Sequence, residues 1–136
     1  MALAPGSYAA ISLNANAVLT LSAGTYSTES LDLEPDSEVR IPQTGVVQLN
    51  VRSSLIYRGQ IVAVGNADPN LLLLYLGTGA VTLERRFNGF YVGVGAALTL
   101  TGNQGLVHRG AFFARDISVT PDVHVEHRSF DPLLFP

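Results

Sequence analysis

The chain has 136 residues, of which 47% are hydrophobic and 14% are charged, and its formal net charge is -3. The chain has only 8 basic residues, all arginine, and a negative net charge, so it has few positive side chains with which to bind a phosphate backbone. Nucleic-acid binding is therefore not expected. The absence of cysteine excludes disulfides, thiolate metal sites and a cysteine nucleophile. This length predicts one domain over residues 1–136, with residues 1–8 as an N-terminal end segment and residues 129–136 as a C-terminal tail.

Hydropathy gives no membrane-spanning segment. The longest apolar run, LLLLYL at residues 71–76, has the length of a strand and falls far short of the roughly 20 residues that cross a bilayer. The N-terminal sequence MALAPGSYAA lacks the basic and apolar regions of a signal peptide. Membrane insertion is therefore not expected, and an exported form would need a leader that this chain does not contain.

Short apolar-x-apolar units alternate with turn-forming stretches such as APG, SAG, PQTG and TGNQG along the whole chain. Such units predict short strands with alternating faces, and no helical periodicity persists. In chain order the predicted strands contain Ile11/Leu13, Leu19/Leu21, Leu31/Leu33, Val39/Ile41, Val47/Leu49/Val51, Val81/Leu83, Phe90/Val92, Leu98/Leu100, Ile117/Val119 and Val123/Val125.

A longer period separates a solenoid from an antiparallel sandwich. One series of strands recurs every 16 to 26 residues, which a sandwich has no reason to do, whereas each coil of a β-helix adds one strand to each sheet. The prediction is an all-β, single-domain, right-handed parallel β-helix of about six to seven coils, with VGNADPN as a loop insertion. The series begins at Leu19, Val39, Leu55, Val81, Leu98 and Ile117.

The start of the chain contains LAPGSY and, 18 residues later, LSAGTY. This repeat predicts that Gly6 and Gly24 form one corner of adjacent coils, where glycine permits a tight turn or a positive φ. Tyr8 and Tyr26 are then expected to stack beside that corner.

Several longer stretches, GVVQLNVRSSL, NLLLLYLGTGAVTL, FNGFYVGVGAALTLTGN and GLVHRGAFFARDISVTPDVHVEH, together with the closing FDP, resemble a family of uncharacterised bacterial exported β-helix domains. Some members of that family are carried behind pilin-like leaders. The resemblance covers nearly the whole chain, implies an extracellular or cell-surface location, and brings no catalytic signature. More loosely, the coil pattern is similar to that of the bactofilins, which polymerise end to end.

The sharpest cluster of possible metal ligands is HVEH, which contains His124, Glu126 and His127. On a strand His124 and Glu126 share one face while His127 takes the other, so they do not converge as zinc ligands should. His108, one coil earlier, could supply a further ligand. An outward polar pair is the favoured interpretation, and neither a metal nor another cofactor is predicted.

Two other groups of polar residues contain side chains of the types that form metal or catalytic sites. The acidic stretch ESLDLEPDSE could suggest Ca²⁺, but Asp32 alternates with inward leucines and a solvated face is favoured. Arg85, Arg86, Arg115 and Asp116 are the only candidates for a polysaccharide-cleaving groove, and no lysine exists to assist them. We therefore expect no catalytic residues and a protein that is not an enzyme.

The ends of the predicted solenoid carry the main functional hypothesis. No capping helix is visible, and uncapped strand edges favour head-to-tail self-association into a filament. The alternative is a monomeric binding or adhesion module of a surface or pilus-associated protein that contacts polysaccharide or another surface protein; an exposed aromatic row from Tyr57, Tyr75, Phe87, Tyr91 and Phe130 would favour it. The candidate self-association residues are Leu3, Tyr8, Phe130, Leu133, Leu134 and Phe135.

Overall fold

The chain winds into a β-solenoid of about six turns, and almost all of its regular structure is strand. The computed structural model describes residues 1–129, with the backbone only at Asn66. One turn of 3-10 helix, Val64–Asn66, lies in the predicted VGNADPN insertion. The strands are β1 (Ala2–Leu3), β2 (Gly6–Leu13), β3 (Val18–Leu21), β4 (Gly24–Leu33), β5 (Glu38–Ile41), β6 (Val47–Tyr57), β7 (Gln60–Ala63), β8 (Leu71–Tyr75), β9 (Val81–Leu83), β10 (Asn88–Leu100), β11 (Val107–Val119) and β12 (His124–His127).

Two parallel sheets form the walls of the solenoid. One sheet has four strands in the order β1-β3-β5-β7, and the other runs β12-β11-β10-β8-β6-β4-β2, with β9 beside β10 and β6. Strands of successive coils therefore lie next to each other, and the backbone of each coil pairs with the coils above and below it. This arrangement confirms the parallel β-helix and excludes the antiparallel sandwich.

The longest strands bend within their length. The pairing of β4 with β6 shifts register between Thr28 and Ser30, and the pairing of β10 with β11 shifts between Gly93 and Ala97. An irregularity of this kind lets a strand change direction without ending its sheet. A single strand can therefore supply two sides of a coil.

One ladder of inward side chains runs through all six coils. It consists of residues that lie in parallel register from β2 to β11, and these residues are Leu13, Leu33, Tyr57, Leu83, Leu100 and Val119. The first five are at most 3% exposed. Alternation along each strand places every second apolar side chain inside, where the neighbouring coils cover it.

The predicted strand series mixed the two sheets and was wrong at one step. Leu19 does pair with Val39, but Val39 pairs with Ile61 in the four-stranded sheet. Leu55 belongs to the other sheet, where it pairs with Leu31. Strands of both sheets alternate in the same way, so their spacing along the chain does not show which wall of the coil they join.

The repeat of LAPGSY and LSAGTY marks the start of two paired strands in adjacent coils, β2 at Gly6 and β4 at Gly24, but the two stretches are two residues out of register. Gly6 pairs with Tyr26, and Tyr8 pairs with Thr28, so the two tyrosines do not stack in register. What the two stretches share is a turn, because each tyrosine hydroxyl donates to a carbonyl four residues earlier. The prediction of a positive φ is confirmed at Gly24, at 141°.

Candidate functional site

The C-terminal end of the solenoid is open in the part of the chain that the structure describes. Strand β12 pairs only with residues 107–110 of β11, so residues 111–119 have no described strand beyond them. Their outer backbone groups form an edge, and an unpaired edge is a template for a further strand.

The side chains at this edge are apolar. Ile117 and Val119 are each 47% exposed and Val125 is 46% exposed, although their alternation places all three toward the interior. Their partners one coil below, Leu98, Leu100 and His108, are at most 1% exposed. We call Ile117, Val119 and Val125 the open end.

The N-terminal end exposes less apolar surface. Ile11 and Leu13, in the first coil, are only 5% and 3% exposed. Leu3 and Tyr8, which were predicted as self-association residues, are half-buried and pack against the core from this end. The four other predicted residues, Phe130, Leu133, Leu134 and Phe135, lie outside the described residues.

The suggested metal ligands do not come together. His124, Glu126 and His127 are all exposed on β12, and the Glu126 carboxylate forms an ion pair with Arg109 at 3.0 Å. Residues 1–129 contain no group of three or more histidine or acidic side chains that could hold a metal ion. This strand therefore offers ion pairing rather than coordination.

His108 is a core residue and not a partner of HVEH. Its side chain is 0% exposed; Nδ1 accepts the Phe87 backbone N–H at 3.2 Å, and Nε2 lies 2.8 Å from the Thr101 carbonyl. These two partners require a neutral ring that carries its proton on Nε2. Burial lowers the pKa of His108, although the hydrogen bond to Thr101 opposes this effect.

The acidic stretch is a set of surface ion pairs. Hydrogen bonds from Ser53 and Arg52 lower the pKa of the Glu29 carboxyl. Asp32 faces outward as predicted, but it is half-buried and its Oδ1 has no hydrogen-bond partner. Exposed pairs of this kind add little stability. With N–O distances of 2.5 to 3.6 Å, the pairs are Glu38–Arg40, Glu29–Arg52, Glu34–Arg58 and Asp36–Arg85.

The residues considered for polysaccharide cleavage have separate partners. Arg85 pairs with Asp36 at 2.8 Å, whereas Arg115 pairs with its exposed neighbour Asp116 at 2.8 Å. Arg86 lines a small cavity with Gln60 and Asn88, among other residues. The four candidates therefore do not form one acid-base arrangement.

Most of the aromatic residues that could have formed an exposed row are in the core. Tyr57, Tyr75, Phe87 and Tyr91 are at most 3% exposed. Phe87 lies edge-on to both Tyr57 and Tyr91, with ring centres 5.7 and 6.4 Å away. Within residues 1–129, Phe113 is the one exposed aromatic side chain, so the described surface offers no aromatic row for stacking sugars.

A network of polar side chains connects the loop before β8 with β10, β11 and the residue after β12. Asp68 accepts hydrogen bonds from Asn88, at 2.9 Å, and from Arg109, and these bonds lower the pKa of its carboxyl. Arg128 donates to the Pro69 carbonyl at 2.6 Å and to Asn88 Oδ1 at 3.2 Å. The network therefore ties the end of the described chain to the middle coils.

No protein-family model, curated protein or solved structure matches the chain. Among the described residues, no helix is long and apolar enough to cross a membrane.

The open end was missed by the sequence-based list of self-association residues. The sequence places Ile117, Val119 and Val125 in strands, whereas the predicted self-association residues lie in segments 1–8 and 129–136. The signal that could have found them is their position, because the last inward rungs of a solenoid have no coil beyond them to cover them.

Proposed function

We propose that this chain is a non-enzymatic structural β-helix that associates end to end with copies of itself into a filament or surface fibre. The proposal rests on the open end, where the inward residues Ile117 and Val119 are each 47% exposed. An apolar strand edge gains most by pairing with another strand and burying its side chains.

A head-to-tail contact would use both ends of the solenoid. Edge strand β2, at the N-terminal end, has eight residues, and the half-buried side chains of Tyr8 on this strand and of Leu3 on β1 keep some apolar surface. A parallel contact between this end and the open end would continue the ladder that ends at Val119 into the next copy. Such a contact does not close into a ring, so repeating it gives an open filament.

The proposed location is extracellular, on a bacterial surface or pilus, with a leader outside this chain. The support is the resemblance of the glycine corners and apolar strands to exported β-helix domains. The proposed partner is the chain itself, and neither a cofactor nor a catalytic residue is needed for this role.

The test is the assembly state of the purified full chain, followed by light scattering and negative-stain electron microscopy over a range of concentrations. We expect filaments with a subunit repeat of roughly 30 Å, from six coils at about 4.8 Å each. Val119→Asp should abolish them, because it places a charge at the contact. Thr82→Asp is the matched control, since Thr82 is an exposed outward residue of an inner coil.

Two results would contradict the proposal. Assembly of Val119→Asp equal to that of the unchanged chain would show that the open end is not the contact. A monomer at every concentration would exclude self-association, and a binding module for polysaccharide or another surface protein would then be the better hypothesis.

A further inference from the structure

A second apolar surface lies on the outer wall of the later coils, and it adjoins the open end, because Ala111 and Phe113 line the same cavity as Ile117, Val119 and Val125. Outward residues in parallel register there change from polar to apolar between β6 and β8. One column consists of Ser7, Ser27, Asn50, Leu74, Val92 and Phe113. The neighbouring column consists of Thr25, Gln48, Leu72, Phe90 and Ala111 and changes at the same coil.

We call the apolar half of these two columns the outer face. Strands β8, β10 and β11 are apolar on both sides there, since Leu71, Leu73 and Tyr91 point into the core and are 0% exposed. Strands that are apolar on both sides are typical of sheets that are covered on both sides. The outer face consists of Leu72, Leu74, Phe90, Val92, Ala111 and Phe113. Its exposure is uneven: Phe90 and Ala111 are buried, at 1% and 8% exposed, Leu72, Leu74 and Val92 are half-buried, and Phe113 is 55% exposed.

The earlier coils show what an uncovered wall looks like in this protein. Gln48 and Asn50, in the same columns on β6, are polar and share a hydrogen bond of 2.9 Å. Asn50 also donates to Ser27 of the coil before it, at 3.4 Å. Polar outward side chains suit contact with water, so the change to leucine, valine and phenylalanine indicates that something covers the later coils.

The chain returns to the outer face after its last strand. The Arg128 backbone N–H donates to the Gly110 carbonyl at 2.9 Å, which places it beside the start of the face. The Arg128 guanidinium lies 5.2 Å from the ring centre of Phe90 and is held by the Pro69 and Asn88 hydrogen bonds. Arg128 therefore lies at the border of this surface, two residues before Phe130 in the sequence.

The next residues match the outer face in chemistry and reach. Residues 130–136 read FDPLLFP, with Asp131 as their one charged residue. Seven extended residues span roughly 23 Å, at about 3.3 Å each. Three neighbouring strands lie within about 10 Å, so the segment is long enough to cross them. Attachment to the same chain gives it an advantage over a second copy, because its effective concentration is in the millimolar range.

We propose that residues 130–136 bind the outer face of their own chain. Phe130, Leu133, Leu134 and Phe135 then cover the apolar half of the two columns and leave Ile117 and Val119 free. The inference goes beyond end-to-end association and does not depend on it.

Cysteine pairs introduced into the full chain test the proposal. The chain has no cysteine of its own, so each disulfide reports an introduced pair. A disulfide needs Cα atoms within about 7 Å, so it measures proximity directly. Val92→Cys is combined with Leu133→Cys or with Leu134→Cys, and oxidised glutathione, which is reduced as the disulfide forms, serves as the oxidant. Circular dichroism checks that each variant folds, and non-reducing gels at low protein concentration give the yield.

Two further pairs serve as controls. Leu134→Cys with Val119→Cys tests whether the segment covers the open end instead. Leu134→Cys with Thr82→Cys measures the background yield at an exposed position on another side of the coil. We expect at least one of the Val92 pairs to form an intramolecular disulfide with a yield roughly tenfold above that background, because a bound segment stays within disulfide distance of Val92, whereas Thr82 is reached only by an unbound segment.

Three outcomes would overturn the proposal. A higher yield with Val119 than with Val92 would place the segment over the open end. Disulfides between chains, with a yield that rises with concentration, would place it on a second copy. A Val92 yield equal to that of Thr82 would show that the outer face does not bind the segment.

Discussion

Val119 lies directly next to Leu100 in the parallel register of β10 and β11, yet Val119 is 47% exposed and Leu100 is 1% exposed. Both belong to the same inward ladder. The difference arises because Leu100 lies between two coils, whereas the described chain provides no coil beyond Val119. In this fold each coil buries the side chains of its neighbours. The contribution of an apolar residue to the free energy of unfolding therefore depends on its coil as much as on its residue type.

The first prediction compares these two residues. Leu100→Ala should lower the free energy of unfolding by about 2–5 kcal/mol, because it opens a cavity between coils. Val119→Ala should cost less than about 1 kcal/mol in dilute protein, because much of its side chain already contacts water. Urea unfolding at a concentration below any assembly measures both. Equal losses would show that Val119 is covered in solution.

The second prediction tests the register of β10. Leu98 is an inward residue that is 1% exposed, and Leu98→Asp would bury an unpaired charge. The expected loss of several kcal/mol is about the size of the stability of a small domain, so the variant should be largely unfolded by circular dichroism. Thr99→Asp is the control, since Thr99 faces outward and is half-buried. A folded Leu98→Asp protein would contradict the register.

The third prediction concerns the close approach of two coils at Gly110. A Cβ atom at Gly110 would lie 1.7 Å from the Gly89 carbonyl oxygen, and backbone on both sides leaves little freedom to move apart. Gly110→Ala should therefore lower the melting temperature strongly. Gly79→Ala is the control, because the nearest atom to its Cβ, the Tyr75 hydroxyl oxygen, is 3.6 Å away. Similar melting temperatures for the two variants would disprove this contact.

The fourth prediction concerns pH. The pKa of buried His108 lies below its ordinary value of 6.5, so the unfolded chain binds a proton more readily than the folded one. The contribution of His108 to stability is complete above pH 6.5 and is lost as the pH falls from 6.5 toward the lowered pKa. Chemical unfolding between pH 7 and pH 5 should show this decline.

His108→Gln provides the comparison for the pH experiment, because glutamine does not titrate. Its unfolding free energy is expected to be lower at neutral pH and to change less between pH 7 and pH 5. The same pH dependence in both proteins would mean that His108 does not cause the decline.

The sequence predicted the positions of the strands better than it predicted which strands pair with each other. The predicted series contains Leu98 and Ile117, and these two residues do pair. They lie on adjacent coils, and no long loop is inserted in the chain between them. Val39 and Leu55 were also placed in one series, but they lie in different sheets. Alternation reports which side chains point inward and carries no information about which wall of the coil a strand joins.

The candidate sites show the same limit. The acidic stretch was correctly expected to be a charged surface, but its arginine partners come from as far away as Arg85, which pairs with Asp36. The sequence does not show whether the aromatic side chains face inward or outward, because that depends on which residues of the neighbouring coils they pair with. Tyr57 proved to be a rung of the central ladder, with its hydroxyl donating to the Arg86 carbonyl at 2.9 Å.

By itself the sequence determined that this protein is a solenoid, because strand length, alternation and turn residues are properties of short stretches of chain. Only the tertiary structure decided which inward residues have no coil to cover them and which columns of outward residues are apolar. It also decided that the Arg128 guanidinium lies over the Phe90 ring. Those features depend on the number of residues in each coil, since one insertion or register shift changes every later neighbour. The open end and the outer face exist at that level, and both are now defined by residues that can be changed.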